Sequence, residues 1–107
     1  MKNKRFIIEN GRLVKCISKD ETIKIPDGVT EIAEFAFEGN NRIKSVIVPG
    51  SVLEIGRAAF ANCINLTYVV LPDSLQVIEA HLFSGCKRLS SIKMPVGLKK
   101  IQRLDVE

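Results

Sequence analysis

Residues 46–63 read VIVPGSVLEIGRAAFANC, and residues 69–86 read VVLPDSLQVIEAHLFSGC. The second stretch is the first again, 23 residues later, with its proline, isoleucine, phenylalanine and cysteine in the same places. Working outward, the step holds along most of the chain. The four prolines are Pro26, Pro49, Pro72 and Pro95, each 23 residues from the next. Ile32, Ile55, Ile78 and Ile101 form a second column, and Val29, Val52, Leu75 and Leu98 a third. Phe37, Phe60 and Phe83 form a fourth, with Val106 at the next position. Further columns are Ile43, Leu66 and Leu89; Ile23, Val46, Val69 and Ile92; and Ile25, Val48, Leu71 and Met94. Asn40, Cys63 and Cys86 share one more, and Val96 departs from the pattern after its proline. Chance does not align so many columns at one step, so the chain is a repeat.

A unit of this length cannot close a core alone. Stacked as successive coils, such units bury like residues on like residues along one axis. Each coil then needs an element that hydrogen-bonds to its neighbours. The segments before the prolines supply it: 22–25, 45–48, 68–71 and 91–94 alternate at strand period, with Val46 and Val48 inward and Ser45 and Ile47 outward. Proline has no N–H to donate and ends each strand at a fixed point. A turn rich in Asp, Gly and Ser follows, then a second short extended piece at 29–32, 52–55, 75–78 and 98–101. The stretches 34–38, 57–61 and 80–84 carry Ala, Glu, Arg and Leu around the buried phenylalanine and predict a helix of one to two turns per coil. Gly39, Asn62 and Gly85 sit where a left-handed residue would stop each one. The expected fold class is therefore α/β, a βα solenoid forming a single domain over residues 1–107.

The N-terminus departs from the period. Phe6–Glu9, Asn10-Gly11 and Arg12–Cys16 read as a β-hairpin, because Asn-Gly suits a tight hairpin turn. It is assigned as the cap of the first coil over residues 6–16, since a terminal coil otherwise leaves its inner face open. At the other end, residues 102–107 read as an incomplete last repeat or a tail, or the sequence is a fragment of a longer array.

Composition narrows the function. The chain has 107 residues, 46% hydrophobic and 26% charged, which is a globular and not a disordered balance. No run of 18 apolar residues exists to span a membrane. The basic start at Met1–Arg5 leads into a mixed stretch and not into an apolar signal core. Aromatics make up 6% and tryptophan is absent, which argues against stacking platforms for bases. The net charge is +4, but its distribution says more. Residues 20–38 hold six acids and one base, and residues 87–103 hold six bases and no acid, so the chain is polarised end to end. The basic end lacks interleaved aromatics and a glycine-rich phosphate loop, so it reads as a solvated end or a surface for another copy's acidic end, and not as a nucleic-acid site.

Chemical constellations are few. His81 is the sole histidine, so any His-dependent catalytic dyad would have to use it, and no nucleophile or oxyanion motif accompanies it. Cys63 and Cys86, one repeat apart, should stack roughly 5 Å from each other. That spacing suits two buried thiols in a ladder, a disulfide, or metal ligation with His81, and no CxxC pair supports zinc. Nothing in the sequence calls for a cofactor. Asn65-Leu66-Thr67 matches a glycosylation acceptor, although Leu66 belongs to a core column.

The outward positions of the main strands are more informative. One column reads Thr22, Ser45, Tyr68, Ser91, and the next reads Lys24, Ile47, Val70, Lys93. Ile47, Tyr68 and Val70 should then lie together on an open sheet, flanked by Lys24 and Lys93. An apolar centre with a polar rim is how protein contact sites are built. Ordinary β-propensity also places Val, Ile and Tyr on strands.

With these residues in view, the unit IKIPDGVTEIAEFAF at Ile23–Phe37, and the two stretches quoted first, resemble the BspA-type class of leucine-rich repeats. FIIENGRLVKC at residues 6–16 resembles the segment that often precedes such arrays. The likeness covers about residues 6–101, departing at Asn40, where the family usually has cysteine. It implies a right-handed solenoid with a parallel sheet on one face. It also implies a cell-surface or secreted protein of a kind displayed by bacteria and some protists, which binds host proteins, matrix or other cells and has no shared catalytic residue. The expected function is a non-enzymatic interaction module that meets a protein or surface-polymer partner through Ile47, Tyr68, Val70, Lys24 and Lys93. The alternative is a structural spacer or self-associating segment of a larger surface protein.

Overall fold

The computed structural model describes residues 5–93 and the backbone of residues 100–101. Each coil contributes one strand to each of two sheets and closes through a third side made of turns. The four-stranded sheet is built from β3 (Thr22–Lys24), β5 (Ser45–Ile47), β7 (Tyr68–Val70) and β9 (Ser91–Lys93), all parallel and in that order. The register is the sequence period: Ile23 faces Val46, Val46 faces Val69, and Val69 faces Ile92. The residues before Pro26, Pro49 and Pro72 prolong the ladder, with Ile25 N–H donating to Ile47, Val48 to Val70 and Leu71 to Lys93. After Pro26, Pro49 and Pro72 a turn closes onto the proline's own carbonyl, which accepts from Val29, Val52 and Leu75 respectively.

The second sheet has six strands. β1 (Phe6–Glu9) and β2 (Arg12–Cys16) form an antiparallel hairpin, and β4 (Glu31–Ile32), β6 (Glu54–Ile55), β8 (Val77–Ile78) and β10 (Lys100–Ile101) follow in order. Asn10 and Gly11, at φ 53° and 78°, supply the two left-handed residues that a tight hairpin turn needs. β2 then runs parallel to β4, pairing Leu13 with Ile32, so the hairpin occupies the edge where an earlier coil would lie. β4, β6 and β8 are two residues long, shorter than the four-residue extended pieces expected at 29–32, 52–55 and 75–78.

The third side overturns the α/β expectation: there is no helix among the described residues. The stretches 34–38, 57–61 and 80–84 are stacked turns. Gly39, Asn62 and Gly85 are left-handed, but so are Phe35, Ala58 and His81, four residues earlier. A left-handed L-residue costs about 1–2 kcal/mol and stops an α-helix before it completes a turn. The compensation lies in the hydrogen bonds. In the first coil Ala36, Glu38 and Asn40 donate back three residues within the coil, whereas Phe35, Phe37 and Gly39 donate to Arg57, Ala59 and Ala61 of the next coil. The second coil repeats the scheme, with Ala58, Phe60 and Asn62 donating to Ala80, Leu82 and Ser84. An α-helix would spend all these N–H groups inside its own coil. The turns spend half of them between coils, which ties the stack together on its third side too.

The core runs down the axis as ladders. Phe37, Phe60 and Phe83 stack with ring centroids 4.7 and 5.8 Å apart. Around them lie the isoleucine column Ile32, Ile55 and Ile78 and the column Ile43 and Leu66, all fully buried. The coils approach closely at Gly56, where a Cβ would sit 2.6 Å from the backbone nitrogen of Glu34. Of the sequence-level assignments, Met94, Pro95, Val96, Leu98, Val106 and the 102–107 tail lie outside the described residues.

Candidate interaction face

Strand alternation decides what the four-stranded sheet presents. Ile23, Val46 and Val69 point into the core and are buried, so the residues on either side of each point outward. The pairing aligns Thr22, Ser45, Tyr68 and Ser91 in one outer column, and Lys24, Ile47, Val70 and Lys93 in the next. Ile47 is 39% exposed and Tyr68 40%, while Val70 is half-buried between its neighbours. Lys24 and Lys93 are exposed at the two ends of their column. The five residues singled out from sequence thus occupy one face and adjacent rungs. Ser45 Oγ and Thr22 Oγ1 are 3.4 Å apart, a polar link at the edge of the apolar centre.

Other apolar residues are exposed without forming such a group. Phe35 lies on the turn side, Leu53 just before β6, and Ile64 in the segment leading to β7. Sequence reasoning did not single them out. Their signal is a large apolar residue at a repeat position that holds polar or small residues in other coils, as at Leu53 beside Thr30 and Gln76.

The residues weighed for chemistry fall elsewhere. His81 is half-buried on the turn side at one of the left-handed positions. Cys16, Cys63 and Cys86 are buried free thiols. Cys63 Sγ donates to the Phe37 carbonyl at 3.2 Å and Cys86 Sγ to that of Phe60 at 3.0 Å, each reaching one coil back. The neighbouring Cys86 thiol and burial push the Cys63 thiol well up, and burial pushes Cys16 up. Asn40, in the same column, follows the hairpin and not a full coil. Its Oδ1 instead accepts from Arg42 and Ile43 N–H in its own turn. Asn65 Nδ2 donates to the Asn41 carbonyl, which ties this side chain to the neighbouring coil. Among the described residues no group of three or more His, Cys, Asp or Glu side chains is placed to hold a metal, and no helix is long and apolar enough to cross a membrane.

The geometry defines a parallel β-solenoid built from leucine-rich repeats. The family model described as the BspA type leucine rich repeat region matches residues 7–104. Among solved structures, a leucine-rich repeat protein of T. pallidum is 34% identical with a TM-score of 0.81, over 85% of this chain and 45% of that one. One from Bacteroides capillosus is 31% identical with a TM-score of 0.82, over 94% of this chain and 86% of that one. One from Bacteroides ovatus is 31% identical with a TM-score of 0.73, over 95% of this chain and 29% of that one. The chain therefore spans less than half the length of the T. pallidum protein. No functionally curated protein matches it. The chain belongs to the BspA-type leucine-rich repeat family.

Proposed function

We propose that this chain is a non-enzymatic interaction module, one solenoid domain that meets a protein partner through the outer face of its four-stranded sheet. Ile47, Tyr68 and Val70 form the centre of the contact, and Lys24 and Lys93 its rim. The observation that carries the reading is the exposure of Ile47 and Tyr68 on adjacent rungs of one face, where the core makes no demand for apolar side chains. Family membership supports a role in recognition, since stacked repeats offer a continuous surface whose outer positions vary without disturbing the buried ladders. A cell-surface or secreted location and a right-handed winding are the settings that go with this reading. The latter is the usual hand of parallel-strand crossovers.

The test is the double substitution Ile47→Asp and Tyr68→Asp. Both side chains leave the core untouched, so the unfolding transition stays in place while capture of the natural partner, recovered by crosslinking to the wild-type chain, falls. Equal capture by the double variant removes this face from consideration.

A further inference from the structure

Charge in this molecule is divided by side. Taken along the sequence, acids gather early and bases late. Wound into coils, residues 18–93 sort differently. The segments that lead into and form the four-stranded sheet (18–25, 41–48, 64–71 and 87–93) hold seven bases and two acids. The segments that form the second sheet and the turn side (26–40, 49–63 and 72–86) hold seven acids and one base, Arg57. Lys24, Arg42, Lys44, Lys87, Arg88 and Lys93 are all exposed on or beside the four-stranded sheet. The two acids of this strip, Asp20 and Glu21, both lie in the first coil and face Arg5 and Lys44 at 3.6 and 3.5 Å. From the second coil to Lys93 the strip has no acid at all.

The outer column Lys24, Ile47, Val70, Lys93 gives this asymmetry a length. Parallel strands stand about 4.8 Å apart, so the two lysines anchor about 14 Å apart with two apolar rungs between them. In an extended peptide, side chains on one face recur about every 6.7 Å, so residues i and i+4 span about 13 Å with i+2 midway. A carboxylate, an apolar residue and a second carboxylate at those positions meet Lys24, the Ile47–Tyr68–Val70 centre and Lys93 in turn. A face of four three-residue strands is small beside the roughly 800 Å² per partner of a standard protein interface, which favours a short segment over a broad docked surface. Phosphate or sulfate polymers would satisfy the lysines and leave the apolar rungs without a counterpart. We infer that the face takes an extended acidic protein segment with Asp or Glu flanking an apolar residue at alternate positions, lying across the strands. The inference rests on the reading of the face given above and adds the chemistry of its partner.

The probe is a phage-displayed library of random dodecapeptides, selected on the immobilised chain at about 100 mM salt. Enrichment of sequences with acids two residues either side of an apolar residue supports the proposal. Their binding should drop at least tenfold on Lys24→Glu with Lys93→Glu, and again on Ile47→Ser with Tyr68→Ser, while Arg57→Glu on the turn side leaves it unchanged. An unaltered unfolding midpoint shows that each variant is folded. Peptides that depend on Ile47 and Tyr68 but carry no acidic excess overturn the charge inference and spare the reading of the face. Peptides insensitive to both pairs of substitutions, or no enrichment, overturn both. Heparin binding that ignores Ile47→Ser and Tyr68→Ser, with no peptide enriched, makes the strip a general polyanion surface and overturns the inference. Sedimentation at low salt that shows the chain associating with itself, lost on Lys24→Glu with Lys93→Glu, assigns the strip to another copy's acidic sides and overturns it too.

Discussion

The strand side and the turn side of each coil are spelled by the same 23-residue period, yet only one of them looks like what it is. At β3 the alternation of Thr22, Ile23 and Lys24 states the backbone and the facing of each residue at once, and the period carries both to Ser45, Val46 and Ile47 of β5. On the turn side, Arg57–Ala61 is alanine-rich and reads as helix, but Ala58 is left-handed at φ 54° and no helix forms. Propensity is a local preference worth a few tenths of a kcal/mol per residue. The rows of N–H···O bonds to Ala80, Leu82 and Ser84 form only if the coil stays flat enough to meet its neighbour. The comparison teaches that in a stack each coil's backbone is chosen by the coil beside it.

The strongest way to break the comparison is through the ladder both sides share. Phe60→Ala removes the middle ring of the Phe37–Phe60–Phe83 stack, and denaturant titration should report a loss of about 3–5 kcal/mol, a large share of the stability of a chain of this size. A loss under about 1 kcal/mol would mean that the rings do not share one core. Next in size is Gly56→Ala. The added methyl meets the Ala33–Glu34 backbone, which cannot swing aside as a side chain does, so the cost should be about 1–3 kcal/mol despite alanine's better propensities.

The turn side itself is sharpened by a matched pair. Ala58→Gly relieves a left-handed alanine, whereas Ala59→Gly, one residue on and outside the left-handed region, adds backbone freedom to the unfolded chain and removes a methyl buried in the core. The second variant should be less stable than the first by at least about 1 kcal/mol. Equal stabilities would restore the helical reading. The buried thiols give a kinetic check: Cys63, raised by its Cys86 neighbour and by burial, should resist alkylation at pH 8 in the native protein and react once denaturant is added. The smallest effect belongs to the strand face. Tyr68→Ser should change stability by no more than about 0.5 kcal/mol, because the side chain projects away from the core.

The division between legible and illegible follows from the range of each interaction. The column structure of the sequence reveals the repeat, the register of both sheets and the identity of the core, because a residue that packs on its own copy must recur at the repeat length. It also brings Ile47, Tyr68, Val70, Lys24 and Lys93 to one face, since strand alternation leaves them no other side. The left-handed state of Phe35, Ala58 and His81 was not legible: a phenylalanine, an alanine and a histidine share no local preference for it. Asn62 and its two glycines, by contrast, announce theirs. The sorting of charge by side was hidden for a different reason. Read along the chain, Lys44 and Glu54 are near neighbours, but winding sends one to the four-stranded sheet and the other to the second. The sequence by itself determined the period, and with it which residues touch across coils. Only the tertiary structure decided the backbone of the third side and the electrostatic faces, because both depend on hydrogen bonds and distances between coils that no single coil contains.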